Sequence, residues 1–202
     1  MKGKIQAFVG LVLIALVAFG IVKGIYTRNF VEPEVEIIES MDDLSVVKNA
    51  LFWYEEELEK TSTGRIGSRL SSEGSSFTKS VYNSLEKTGM VNDYITTMSE
   101  AATKRMIELN AYRGTEPNVW QIAKQNEYPY IFKVVILNMN YREKSGDLVD
   151  VEYQFSLYDT FNNSLVWQAK STRLSGFFGG MPENSEMVSI LKNKLKQSKI
   201  IE

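Results

Sequence analysis

The longest uninterrupted hydrophobic stretch of the chain lies at its start, where residues 7–22 carry no charge. If the stem of Lys23 extends toward the interface, the stretch reaches Tyr26, and ~20 residues at ~1.5 Å each span the ~30 Å of a bilayer core. We therefore predict a membrane anchor over residues 1–28, in which a signal-anchor helix at about residues 6–26 crosses the inner (cytoplasmic) membrane once.

The charges that flank this stretch bear on its orientation. Lys2 and Lys4 on a very short tail favour a cytoplasmic N-terminus, so the rest of the chain is expected to be extracytoplasmic or periplasmic. A cleaved signal peptide is the alternative, because Ala18 and Gly20 are small residues that could precede a cleavage site.

The hydrophobic pattern changes after the anchor at Pro33, which cannot continue a helix. Val35 and Ile37 then alternate with glutamates, as in a short strand or a stiff spacer. We predict a spacer over residues 29–41 and an extracytoplasmic domain over residues 42–202.

Apolar residues recur at a 3-4-3-4 spacing between residues 44 and 58, which is typical of a helix with a heptad seam. Asp42 and Asp43 are favourable near the N-terminus of such a helix. Two interpretations stay open: the helix packs on its own domain, or a stalk helix at residues 42–60 pairs with a second copy of the chain. The candidate oligomer seam consists of Leu44, Val47, Leu51, Tyr54 and Leu58.

Strand patterns dominate the second half of the chain. Residues 128–140 are apolar on both faces, as expected for a central strand, with Leu137 and Met139 on the face opposite to Phe132. Residues 149–157 alternate apolar and polar side chains, a polar turn follows, and the alternation resumes through Trp167, which indicates a hairpin.

Helical periodicity and capping residues predict further helices in the domain. The helix capped by Ser99 is expected to bury Met106, Ile107 and Leu109. Together with the three-strand meander, these helices predict an α/β sandwich (α+β) in which helices cover a mainly antiparallel sheet. The predicted helices cover about residues 75–88, 100–113, 118–123 and 184–197.

Composition narrows the possible functions. The 202 residues leave room for one domain after the anchor, and the net charge of −2 gives no bulk attraction to nucleic acid. The chain has no Cys and no His, which excludes disulfides, thiolate nucleophiles and the commonest metal ligands, and no cofactor is predicted. Because no catalytic motif is present, we predict that the chain is not an enzyme. An envelope enzyme that uses a pair of carboxylates is the alternative.

One loop is unusual because it places two phenylalanines between glycines at residues 174–186. Either both rings plug the core, or they form an aromatic contact loop that inserts into a partner protein or a bilayer surface. The candidate partner-contact residues are Phe177, Phe178 and Met181.

Residues 75–200 resemble small bacterial envelope domains. The features that carry the resemblance are a helix ending in LEKTG, the aromatic-rich strand YIFKVVI after a short helix, Asp159 near a turn and Trp167 on the returning strand. The chain resembles the curli-secretion lipoprotein, the penicillin-binding-protein activator lipoproteins and the amino-terminal domain of the Tol propeller protein. It differs from the lipoproteins in having no lipidation cysteine.

This resemblance implies a non-catalytic extracytoplasmic domain that helps to assemble or regulate an envelope complex. The expected partners are other envelope or membrane proteins, together with the bilayer through residues 6–26. A structural homo-oligomer that pairs through the helix at residues 44–58 is the alternative.

Overall fold

The structure is a computed structural model, and it describes residues 17, 34–41, 44–60, 66–70, 72–141, 148–174 and 183–202. The predicted membrane helix at residues 6–26 lies outside the described residues except for Val17. Within the described ranges, no helix is both long and apolar enough to cross a membrane.

A six-stranded sheet forms the centre of the domain, in the order β1-β8-β7-β6-β2-β5, and β3 and β4 pair separately. The strands in the described ranges are β1 (Glu34–Ser40), β2 (Ala50–Glu56), β3 (Leu58–Lys60), β4 (Ile66–Leu70), β5 (Val91–Met98), β6 (Tyr130–Tyr141), β7 (Leu148–Asp159) and β8 (Ser164–Leu174). The helices in those ranges are α1 (Ser72–Glu86), α2 (Glu100–Glu108), α3 (Val119–Gln125) and α4 (Asn184–Gln197).

Strand directions in the sheet are mixed. β2 runs parallel to β5 on one side and to β6 on the other, whereas β6, β7, β8 and β1 pair antiparallel. The predicted α+β class with a mostly antiparallel sheet is therefore confirmed. The parallel pairs arise because the connections from β2 to β5 and from β5 to β6 contain helices, which cross over the sheet.

The predicted meander is confirmed, because β6, β7 and β8 pair as consecutive antiparallel strands. Tyr153, Phe155 and Leu157 of β7 are fully buried on one face, and Trp167 of β8 is buried on the same side. The indole N–H of Trp167 donates to the hydroxyl of Ser198, at 3.0 Å, and this bond attaches the meander to the end of α4.

The predicted helix at residues 44–58 is wrong, because residues 50–56 form the central strand β2. The run from Leu51 to Tyr54 is apolar on both faces, and such a run fits a buried parallel strand as well as a helix. The proposed seam is divided between the two faces: Tyr54 packs in one core and Leu51 in the other. Val47 is buried in the chain's own core, and Leu58 belongs to β3.

The predicted spacer at residues 29–41 also needs correction. Glu34–Ser40 forms β1, which pairs with β8, and Val35 is buried in the first core. Because Glu34, Glu36 and Glu39 lie on this edge strand, their charges oppose pairing with another sheet edge. The folded domain therefore includes residues before position 42.

Helices pack on both faces of the sheet. On the first face, α1 and α4 each bury an apolar row with helical spacing, including Phe77 and Val81 of α1 and Leu191 and Leu195 of α4. On the second face, Ala123 and its neighbours in α3 cover a smaller cluster that contains Leu51 and Ile131.

A register shift in β6 changes the predicted positions of two side chains. The shift lies between Ile136 and Asn138 in the pairing with β7. Beyond it, Met139 is buried in the first core, and Leu137 is 41% exposed. The prediction that Met139 lies opposite to Phe132 is therefore wrong, because an irregular pairing interrupts the alternation of the strand. The prediction that Leu137 lies on a covered face is also wrong.

Four helix ends in the described ranges adopt the same turn, in which a residue with positive φ follows the helix. These residues are Gly89 at 72°, Asn110 at 53°, Glu127 at 57° and Lys199 at 59°. The next backbone N–H returns to a carbonyl in the last helical turn, as in a Schellman motif. The N···O distances are 3.3 Å from Met90 to Leu85, 2.9 Å from Ala111 to Met106, 2.9 Å from Tyr128 to Ala123 and 2.9 Å from Ile200 to Leu195.

Two of these helix ends hold the segment that enters β2. The N–H of Val47 donates to the carbonyl of Ile200 at 2.8 Å, and the N–H of Ala50 donates to the carbonyl of Met90 at 2.8 Å. The turns after α1 and α4 therefore fix the position of the central strand as well as ending their own helices.

Gly89→Ala should lower the free energy of unfolding by about 1 kcal/mol, because an added Cβ meets nothing within 4 Å and only the left-handed backbone is penalised. Lys199→Gly is the matched opposite change and should raise the free energy of unfolding by about 0.5 kcal/mol. Chemical denaturation of the full chain measures both variants. Wild-type stability for Gly89→Ala would contradict the positive φ at this turn.

Candidate functional site

A crevice lies where the parallel strands β2 and β5 end. β2 ends at Glu56 and β5 at Met98, and the two residues are paired in the sheet. The N–H of Ser99 donates to the carbonyl of Glu56 at 2.8 Å, so the chain turns into α2 directly at this edge. The carboxyl ends of parallel strands commonly border binding crevices in sheets with helices.

Hydrogen bonds fix the start of α2 at this position. The hydroxyl of Ser99 accepts from the N–H of Ala102 at 3.0 Å and donates to the carboxylate of Glu57 at 2.9 Å. The N–H of Met98 donates to the carboxylate of Glu116 at 2.9 Å, which brings the segment after α2 back to the end of β5. The predicted cap at Ser99 is confirmed.

These elements enclose an open cleft of about 600 Å³, which we call the α2 cleft. Most of its lining is apolar, and its rim carries three glutamates with a single lysine among the described lining residues. Its lining residues are Met98, Glu100, Thr103, Lys104, Ile107, Glu108 and Glu116.

Apolar side chains of α2 are left uncovered beside the cleft. Ile107 is 51% exposed and Leu109 is 39% exposed, and Met106 is half-buried. The prediction that all three are buried is therefore wrong, because Ala102 is the buried residue of this helix. The periodicity identifies an apolar side of the helix, but the described part of the domain does not cover it.

The acidic groups around the α2 cleft influence one another. Burial raises the pKa of Glu56, and the nearby Glu116 raises it further, although a hydrogen bond from Ser75 opposes the rise. A hydrogen bond to Glu116 raises the pKa of Tyr112. Negative charge is therefore concentrated at this end of the sheet, where a positively charged group of a partner would be favoured.

The structure does not bring the predicted site residues together. Phe177, Phe178 and Met181 lie outside the described residues, so their role as partner contacts stays a prediction. Throughout the described ranges, no cluster of three or more acidic residues is arranged to hold a metal ion. The absence of catalytic activity also stays a prediction.

Sequence reasoning missed an aromatic residue at the tip of the hairpin between β7 and β8. Phe161 is 91% exposed, and it borders a shallow cleft of about 480 Å³. Asp159 fixes the turn by accepting the N–H groups of Phe161 at 2.7 Å and Asn162 at 3.0 Å. The sequence signal was a phenylalanine within an otherwise polar turn, where no core can receive it.

A half-buried cluster on the second face was also missed. The ammonium group of Lys133 lies 2.7 Å from the carboxylate of Glu55 and 3.8 Å from the ring centroid of Trp53. The indole N–H of Trp53 donates to the hydroxyl of Thr97 at 2.8 Å. These contacts make Lys133 part of the surface beside α3.

Comparison with known proteins gives a fold likeness and no family. No protein-family model and no curated relative matches the chain. A solved structure of the PelC dodecamer from Paraburkholderia phytofirmans has 17% sequence identity and a TM-score of 0.50, and the match covers 83% of this chain and 97% of that chain. At this identity, the likeness shows the fold alone.

Two further solved structures have lower scores. The LpoB C-terminal domain from Salmonella enterica has 14% identity and a TM-score of 0.35, with 63% of this chain and 84% of that chain covered. Lipoprotein GNA1162 from Neisseria meningitidis has 12% identity and a TM-score of 0.37, with 73% and 96% covered. The resemblance predicted from the sequence is confirmed as a likeness of fold.

Glu56→Gln should stabilise the folded chain increasingly as the pH rises above about 4.5. Because the pKa of Glu56 in the folded chain is above its ordinary value of 4.5, protonation favours the folded state at low pH. This stabilisation is lost as the pH rises through the folded pKa, whereas a glutamine stays neutral. Thermal unfolding between about pH 4 and pH 8 measures the difference. A difference that does not change with pH would contradict the raised pKa.

Proposed function

We propose that the chain is a non-catalytic binding or assembly subunit of a bacterial envelope complex. In this proposal its domain is extracytoplasmic, and residues 6–26 anchor it in the inner membrane as a single-pass helix. The observation that carries the proposal is the α2 cleft, which combines uncovered apolar side chains with an acidic rim. The fold likeness to envelope domains supports the proposed location in the cell envelope and does not identify the partner.

The chemistry of the α2 cleft defines the kind of partner. Ile107 and Met98 offer an apolar surface that a hydrophobic side chain of a partner would cover. Glu100 on the rim, together with Glu108, whose exposed carboxylate lies 3.2 Å from the guanidinium of Arg105, would attract lysine or arginine and would repel an acidic segment. The expected partner is therefore a protein segment with apolar residues flanked by basic residues.

A structural homo-oligomer is the second candidate. The similar PelC structure is described as a dodecamer, and β5 is the sheet edge that lacks the row of glutamates found on β1. Such an assembly would need an interface other than the predicted helix at residues 44–58, because β2 occupies that part of the chain. Two copies of the α2 cleft would also repel each other through their glutamates.

A photo-crosslinking residue at position 107 of the full chain in intact cells should form a defined adduct with another envelope protein. Lys79, which is exposed on α1, is the matched control position and should not form that adduct. Glu100→Gln together with Glu108→Gln should reduce the adduct by about fivefold, because two exposed charge contacts are worth ~1 kcal/mol together.

Mass spectrometry of the adducts distinguishes the possibilities. An adduct only with another copy of the chain would favour the homo-oligomer. The same adducts at positions 79 and 107, or an adduct that the two glutamate changes do not affect, would contradict a specific role for the α2 cleft.

A further inference from the structure

A second groove lies between α1 and α4 on the first face of the sheet. Its volume is about 540 Å³, and small hydroxyl side chains on both helices leave it open. At one end, the side-chain amide of Asn184 lies 3.3 Å from the hydroxyl of Ser76 and links the two helices. The hydroxyl and amide residues of its lining are Ser80, Asn83, Ser84, Ser185, Ser189 and Asn193.

Three lysines converge on this groove from both helices. Lys87 directly follows the last residue of α1, and Lys192 and Lys196 lie on α4. The described lining contains no carboxylate, and none of the three lysines forms an ion pair with a described residue. Lys192 and Lys196 are four residues apart on one helix, so their charges repel each other and oppose helix stability.

This concentration of positive charge contrasts with the rest of the chain. The net charge is −2, and the α2 cleft is rimmed by glutamates. An anion that binds between these lysines would relieve the repulsion between their charges. Serine hydroxyls and asparagine amides add neutral donors that can reach the oxygens of the same anion.

The dimensions of the groove favour an extended anion over a single ion. Its lining runs from residue 80 of α1 to residue 87 just after that helix, and over residues 185–196 of α4, which correspond to ~10 Å and ~16 Å at ~1.5 Å per helical residue. Lysine binds phosphate as a point charge, and phosphate oxygens accept hydrogen bonds in several directions. We propose that this groove binds a linear anion that carries several phosphate groups.

The lining favours a soluble phosphate chain over a membrane surface. A helix that binds an anionic bilayer usually combines basic residues with large apolar side chains that enter the lipid. Among the described lining residues, Val188 is the apolar side chain, and it is only 7% exposed. The groove therefore supplies charge and hydrogen bonds without a hydrophobic anchor.

The test is calorimetric titration of tripolyphosphate into the full chain, purified in a non-ionic detergent at low salt. A variant with Lys87→Gln, Lys192→Gln and Lys196→Gln should lose affinity by at least about tenfold, because each lysine supplies a charge-assisted contact. The control variant carries Lys48→Gln, Lys79→Gln and Lys124→Gln, which remove the same charge at exposed positions outside the groove. The control should bind like the wild type.

A stability measurement keeps the result interpretable. The groove variant loses the repulsion between Lys192 and Lys196 and also the favourable interaction of Lys196 with the C-terminus of α4. Because these two effects oppose each other, it should unfold close to the wild-type temperature. No binding of tripolyphosphate by the wild type, or equal losses in the two variants, would overturn the proposal. Binding of phosphatidylglycerol vesicles through the three lysines, without binding of tripolyphosphate, would also overturn it by identifying a membrane surface as the ligand.

Discussion

The burial of β2 between two parallel neighbours is the constraint on which the rest of the structure depends. Its side chains divide between two cores, with Phe52 and Tyr54 under α1 and α4 and Leu51 under α3. A strand in this position needs helices on both faces, because each face is apolar. The turns after α1 and α4 supply the backbone hydrogen bonds that hold the segment entering β2.

The position of the α2 cleft follows from the same constraint. Because β2 and β5 are parallel, their carboxyl ends lie together, and the chain must leave that edge through α2. The short helix buries only Ala102 of its own residues, so its apolar side chains remain accessible. Burial of the central strand and exposure of the candidate partner-binding surface are thus two results of one topology.

The sequence correctly predicted the features that are determined by residues close together in the chain. The alternation around Phe155 and Trp167 predicted the hairpin, and the cap at Ser99 predicted the start of α2. The predicted helix at residues 50–56 was wrong because a short apolar run with large side chains fits a helix and a buried strand equally well. The partner strands that decide between the two structures lie far along the chain. The predicted burial of the apolar residues of α2 was wrong because periodicity identifies an apolar side of a helix without showing what covers it.

Hydrogen–deuterium exchange can be measured for the purified full chain and for the chain in its native membranes. Slow exchange of the β2 amides is expected in both samples, because this strand is central. Residues 100–109 are expected to exchange fast in the purified chain and more slowly in the membranes, where a partner covers the α2 cleft. Equal exchange of residues 100–109 in the two samples would contradict the partner-binding role of the α2 cleft, and fast exchange of β2 would contradict its central position.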